Sequence, residues 1–215
     1  MKRLWHGSLK KNMMRSVAYH DKEIYPSKVV CVGRNYVAHI HELDNEIPEN
    51  MVLFNKPNSA VTDTFSSFSE TTRFEGEICF LVEDGALAGL GFGLDLTHAD
   101  IQNYLKEKGL PWERAKGFDG SAVLGKFVPF VGDVESVEMK LFVNDKLVQH
   151  ATYDLMIYKP DAILKEVQSF MTLQDGDVIM TGTPKGVATY EKGDIFVGKI
   201  FVDGKMCLEE TFIVS

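Results

Sequence analysis

A chain of 215 residues and 24.1 kDa, 45% hydrophobic and 25% charged, is long enough to bury a sizeable core and too apolar for bulk disorder. Its net charge of −8 and pI near 5.3 argue against nucleic acid or an anionic membrane as the main partner. No apolar run approaches the roughly 20 residues of a membrane helix, and the basic N-terminus MKRLWHGSLKKNMMRSVAYH lacks the apolar stretch of a secretory signal, so the expected location is the cytoplasm. Cys31, Cys79 and Cys207 are widely spaced and form no CxxC pair, which fits reduced thiols.

In chain order, VVCVG (29–33) is a short β-branched run closed by glycine and reads as a buried strand. RNYVAHIHELDNEIPEN is polar and mixed, a short helix or a loop. MVLFNKP (51–57) is a strand ended by Pro57, and TDTFSSFSETTR is loop-like. FEGEICFLVE (74–83) and the glycine-punctuated GLGFGLDLT (89–97) follow as strands. ADIQNYLKEKG (99–109) reads as a helix with Ile101, Tyr104 and Leu105 on one face, Thr97 or Asp100 as its cap, and Gly109 and Pro111 as its stop. VEMKLFVNDKLVQ alternates around a hairpin turn at Asn144-Asp145. DAILKEVQSFMTL (161–173) spaces Ile163, Leu164, Val167 and Phe170 as a second helix, and strands and turns fill the rest. Two helices among some ten short strands, without regular βαβ alternation, predict a mostly-β α+β domain. No linker composition divides residues 26–215, and residues 1–25 are expected as an extension packing on that domain.

The chemistry-bearing residues are sparse. Glu75 and Glu77 are two apart in a strand and should project together, with Phe74, Ile78 and Phe80 on the opposite face. Asp95 sits in an apolar glycine-rich strand, where a carboxylate has no evident reason to face solvent. Three such groups are hard oxygen ligands suited to Mg²⁺ or Mn²⁺. Residue types and spacing alone favour the plainer reading, an exposed Glu pair and an Asp95 bound to a lysine, because E-x-E is common in strands. His39 and Glu42 are three apart, so a helix would place the carboxylate beside the imidazole, as a general base requires; taken alone, the polar segment favours an ordinary surface pair. Lys116 lies in a Pro/Trp/Gly-rich stretch, able to meet an anion or simply solvated. TGTPKG (181–186) offers amides for an anion nest, and lacks the spacing of a P-loop. GLGFGL has leucine where a dinucleotide loop needs its third glycine.

CVGRNYVAHIHEL, LFNKPNSAV, FEGEICFLVE, GLDLTHADIQ, GLPWERAKGFDGSAVLG and LQDGDVIMTGTPKGVA, in this order, resemble the fumarylacetoacetate hydrolase family. The similarity is greatest to its small single-domain acylpyruvase/oxaloacetate decarboxylase branch, and runs from about Pro26 to the end. It implies a β-roll with a few short helices, usually a homodimer. It implies metal ligands at Glu75, Glu77 and Asp95 for Mg²⁺ or Mn²⁺, a His39–Glu42 dyad in a lid, a catalytic Lys116, and substrate contacts at Arg34, Gln102 and Thr183. One departure is clear: many relatives have two histidines before E-x-E, where this chain has Arg73 and Phe74.

The expected substrate is a small 2-oxo or β-diketo acid. A metal-stabilised pyruvate enolate would let a hydrolase cleave the C–C bond of a 3-acylpyruvate such as acetylpyruvate or fumarylpyruvate, with His39 activating water. The dyad makes hydrolysis the leading expectation. The same chemistry would serve an oxaloacetate decarboxylase or tautomerase, or a 2-hydroxyhepta-2,4-diene-1,7-dioate-type isomerase.

Overall fold

The structure, a computed structural model, describes residues 14–37 and 49–215. In chain order these form β1 (Val17–Tyr19), β2 (Lys22–Ile24), β3 (Lys28–Gly33), β4 (Val52–Pro57), β5 (Val61–Thr62), β6 (Thr72–Phe74), β7 (Gly76–Glu83), β8 (Ala86–Asp95) and β9 (Thr97–His98). Two helices follow, α1 (Ala99–Glu107) and the one-turn α2 (Glu113–Lys116), and then β10 (Ala122–Pro129), β11 (Glu138–Val143) and β12 (Lys146–Thr152). Helix α3 (Pro160–Phe170) precedes β13 (Val178–Met180), β14 (Ala188–Thr189), β15 (Ile195–Val202) and β16 (Lys205–Ile213). The fold is mostly β with few short helices, as the patterning predicts.

The strands build a large curled sheet in the order β2-β1-β10-β8-β7-β13-β3-β4, with β5 beside β10. A four-stranded sheet, β12-β11-β15-β16, and a small one, β14-β6-β9, complete it. Strand β7 is central in the large sheet, so both its faces are buried. Phe74, Ile78, Phe80, Leu90, Phe92 and Leu94 pack with Leu141, Phe196, Ile200 and Phe212 of the four-stranded sheet. Cys79 and Leu81, on the other face of β7, pack inside the curl with Cys31, Leu124, Phe127 and Met180. Helix α3 covers the outer side through Ile163 and Val167, against Val30, Val32 and Ile179.

Strand β8 explains the glycine run that mimics a dinucleotide loop. Its Leu90, Phe92 and Leu94 face the four-stranded sheet, while Gly89, Gly91 and Gly93 face into the curl. A Cβ on Gly93 would lie 2.8 Å from Leu124 Cδ2 and 2.9 Å from Cys79 Sγ. The glycines therefore leave room for the inward side chains of the flanking strands β7 and β10, and Asp95 continues the same face.

The hairpin turn forms as predicted, with Asn144 and Asp145 both at positive φ (48° and 65°) between β11 and β12. The helix faces are less well anticipated. On α1, Ile101 and Tyr104 are exposed and only Ala99 and Leu105 are buried, because the helix packs through the face of Ala99, Gln102, Leu105 and Lys106. His98 occupies the N-cap position without a side-chain cap, since the Thr97 hydroxyl is engaged elsewhere. On α3, Phe170 is exposed. The loop expected around Lys116 is instead the helical turn α2, closed by the Lys116 N–H donating to Trp112 O at 2.9 Å.

Packing inside the curl yields a direct test. Gly93→Val should cost about 1–3 kcal/mol through overpacking, read as a lower denaturant midpoint with unchanged slope. An unchanged midpoint would contradict the inward placement of this face.

Candidate metal and 2-oxo-acid site

The ladder between β7 and β8 brings the acidic residues together. Gly76 pairs with Leu94 and Glu77 with Gly93, and the Asp95 N–H donates to Glu75 O at 2.9 Å one step further on. Antiparallel pairing with period 2 then puts Glu75, Glu77 and Asp95 on one face, at the end of the curl's interior. One oxygen from each lies within 4.8 Å of the other two. Glu77 and Asp95 are buried and Glu75 is half-buried, so the exposed-edge alternative does not hold.

Two lysines meet this acidic face. Lys116, at the end of α2, donates to Asp95 Oδ2 (2.7 Å), Glu75 Oε2 (3.0 Å) and Thr97 Oγ1 (2.6 Å). Thr97 donates in turn to Glu75 Oε1 at 2.8 Å, so all three ammonium protons and the hydroxyl are ordered. Lys56, on β4, is fully buried, donates to the carbonyl oxygen of Lys116, and approaches Asp95 Oδ1 at 2.8 Å as a charge contact without hydrogen-bond alignment. Lys56 thereby holds both Asp95 and the backbone from which Lys116 extends. A lone lysine in an apolar strand, VLFNKP, was the available signal for it.

Among the described residues, Glu77 has no lysine partner. Its Oε2 accepts a 2.6 Å hydrogen bond from the Gly182 N–H, so the TGTPKG turn does bind an anion, and that anion is the protein's own carboxylate. Gly182 has φ +97°, and a Cβ there would lie 2.8 Å from Asn35 Cβ and 3.0 Å from Val32 O. Only glycine brings that amide in. Burial raises the Glu77 pKa well above the carboxylate range, reinforced by Asp95 and Glu75 and opposed by Gly182 and Lys116. For Lys116, burial disfavours the charge, yet Asp95 and Glu75 outweigh it and the ammonium is held protonated.

Three carboxylates therefore face two ammonium groups, one negative charge in excess in a buried setting. A divalent cation fits this donor set. The oxygens are hard, they converge, and each carboxylate retains lone pairs beyond those used by Lys116, Thr97 and Gly182.

Around this centre, the other predicted positions fall as follows. Thr183 is buried beside Gly182, but its hydroxyl donates to Gly76 O (2.9 Å) and accepts from Gln149 Nε2 (2.8 Å), so it braces the Glu75–Glu77 segment. Gln102 is half-buried on α1. Arg34 is half-buried at positive φ (57°), and its Nε is buried with no partner among the described residues. His39 and Glu42 lie outside the described residues. Patterning gave no notice of Gln149, whose Oε1 accepts from the Gly76 N–H at 2.8 Å, or of Asn35, which ties Thr181 O (2.7 Å) to Tyr158. Single amides in mixed segments carry no periodic signal.

Comparison with known proteins agrees with this architecture. Residues 28–213 match the family model described as fumarylacetoacetate (FAA) hydrolase C-terminal. Oxaloacetate tautomerase YcgM of Escherichia coli is 40% identical over 190 residues, 79% of this chain and 87% of that protein. The mitochondrial oxaloacetate tautomerase oaa1 of Schizosaccharomyces pombe is 34% identical over 194 residues, 80% of this chain and 88% of its own. Among solved structures, fumarylpyruvate hydrolase from Pseudomonas aeruginosa, in complex with Mn²⁺ and pyruvate, superposes with a TM-score of 0.85 at 29% identity, covering 97% of this chain and 99% of that one. With a family model spanning nearly the whole chain and the carboxylate face that the motifs lead to, this protein belongs to the fumarylacetoacetate hydrolase family.

Proposed function

We propose that this protein is a divalent-metal-dependent oxaloacetate tautomerase, interconverting the enol and keto forms of a small 2-oxo acid. The observation that carries the reading is the 40% identity, over most of both chains, to a protein named for that reaction. It favours the tautomerase alternative over C–C hydrolysis, the leading expectation from the sequence. The chemistry of the buried site is compatible, because tautomerisation moves one proton between the enol oxygen and C3, breaks no C–C bond and needs no activated water.

Glu75, Glu77 and Asp95 would hold the cation, Mg²⁺ or Mn²⁺, which when bound supplies Lewis acidity to the oxygens of a 2-oxo acid. Lys116 supplies a fixed positive charge beside those oxygens, prearranged by Glu75, Asp95 and Thr97 so that little reorganisation accompanies proton transfer. Lys56 holds Lys116 in place through its carbonyl. His39, oriented by Glu42, is proposed as the base that exchanges the C3 proton. The Phe54 ring, 5.1 Å from the Lys116 ammonium, keeps water from one side of it.

A second reading is supported by the fumarylpyruvate hydrolase structure: the same residues would serve C–C hydrolysis, with His39 taking a proton from water. The two are separated by assaying one metal-supplemented preparation for enol–keto oxaloacetate interconversion, CO₂ release, and cleavage of fumarylpyruvate and acetylpyruvate. The tautomerase reading expects interconversion to be the most efficient by kcat/KM and to fall roughly 100-fold or more in Lys116→Met, as for loss of a preorganised charge, with the fold kept. Fumarylpyruvate cleavage exceeding interconversion would replace it with the hydrolase reading.

The metal assignment has its own test in thermal unfolding. Saturation at about 100 times Kd corresponds to about 2.7 kcal/mol of linkage, and a chain of this size gains roughly 2–4 °C per kcal/mol. Mn²⁺ or Mg²⁺ should accordingly raise Tm by roughly 5–10 °C in the wild type and far less in Glu77→Gln. Equal shifts in the two proteins would place the cation elsewhere.

A further inference from the structure

Lys106 is used by none of the chemistry above, yet it borders the same site. It lies four residues after Gln102, on the same side of α1, and is half-buried. Its ammonium lies 5.5 Å from the centre of the Trp112 ring. Trp112 tilts against Phe54 with ring centres 5.8 Å apart, and the Lys116 ammonium lies 5.1 Å from the Phe54 ring. One aromatic wall thus carries a lysine at each end, Lys116 among the buried carboxylates and Lys106 towards solvent.

The two lysines differ in their partners. The Lys116 ammonium meets Glu75, Asp95 and Thr97, whereas the Lys106 ammonium makes no hydrogen bond or ion pair among the described residues. Burial and the positive charges of Arg34, Lys116 and Arg73 pull the Lys106 pKa down to about 8, against an opposing pull from Glu75. A half-buried ammonium among three further cations is unfavourable until an anion joins it. Among the described residues the site's carboxylates are engaged by Lys116, Lys56, Thr97 and the Gly182 amide, which leaves a ligand anion as the partner for Lys106.

We propose that Lys106 receives the second carboxylate of a dicarboxylic 2-oxo acid whose oxo end lies at Lys116 and the carboxylate triad, an inference that rests on the reading of that pocket given above. The paired rings of Trp112 and Phe54 lie between the two cations and set them apart. Lys106 is then a specificity residue. It favours dicarboxylic acids over monocarboxylic ones and takes no part in proton transfer.

Malate and lactate differ in the distal carboxylate, and neither has an oxo group to enolise, so their binding to the Mn²⁺-loaded protein reads the subsite without turnover. Calorimetric titration should show malate binding more tightly than lactate to the wild type. Lys106→Met should weaken malate roughly tenfold, the loss expected of one charge-assisted contact, and leave lactate within about twofold. Lys106→Arg should stay close to the wild type for both ligands. Equal loss of both ligands in Lys106→Met, no loss of either, or an Arg variant that behaves like Met would each overturn the assignment. Oxaloacetate interconversion is measured on the same wild-type preparation. Its absence, with malate discrimination intact and sensitive to Lys106, would sink the reaction reading and leave the subsite standing.

Discussion

Everything around this site follows from placing three carboxylates on one buried face of a β-ladder. Glu75, Glu77 and Asp95 repel one another and lose their hydration together, and no neighbouring apolar packing can offset that. The protein answers with charge. Lys116 spans Glu75 and Asp95, Lys56 approaches Asp95 from below, and the Gly182 amide is turned onto Glu77. Two ammonium groups against three carboxylates leave the cluster short of positive charge, which a bound cation would supply, while burial, reinforced by Asp95 and Glu75, raises the Glu77 pKa.

The roll exists largely to hold that arrangement rigid. Inward-facing glycines on β8 leave room in the curl for side chains of the flanking strands, and Cys31, Cys79, Leu124 and Met180 fill it directly beneath the charged end. Charge and core are in contact: burial raises the Cys31 thiol pKa, and Asp95 and Glu77 reinforce it. Side chains that look incidental are braces. Gln149 and Thr183 fix the backbone at Gly76, between the two glutamates, and Asn35 fixes the turn that delivers Gly182. Removing a brace would loosen ligand geometry without touching a ligand.

Much of this was legible in the residues because β structure has a strict period of two. That period places Glu75 with Glu77 and sets Phe74, Ile78 and Phe80 on the far side, as found. It could not show that both faces are buried, because burial depends on where β7 falls in the sheet. The helix faces misled for a related reason: Ile101 and Tyr104 share a helical face, but α1 packs through the neighbouring face of Ala99, Gln102 and Leu105 and leaves them outside. Lys116 could be read from its residues only as meeting an anion or being solvated, since its loop-like sequence hides the one turn of helix that buries it. Lys56, Gln149 and Asn35 are contacts across 35 or more positions of chain, and no local pattern encodes those.

The most direct test of the account is manganese anomalous scattering from crystals of the protein grown or soaked with Mn²⁺. A single strong peak bounded by oxygens of Glu75, Glu77 and Asp95, with Lys116 still bonded to Glu75 or Asp95, is the predicted result. A map with no peak there, or with the manganese bound only at other acidic residues, would contradict the claim that this face exists to hold a divalent cation.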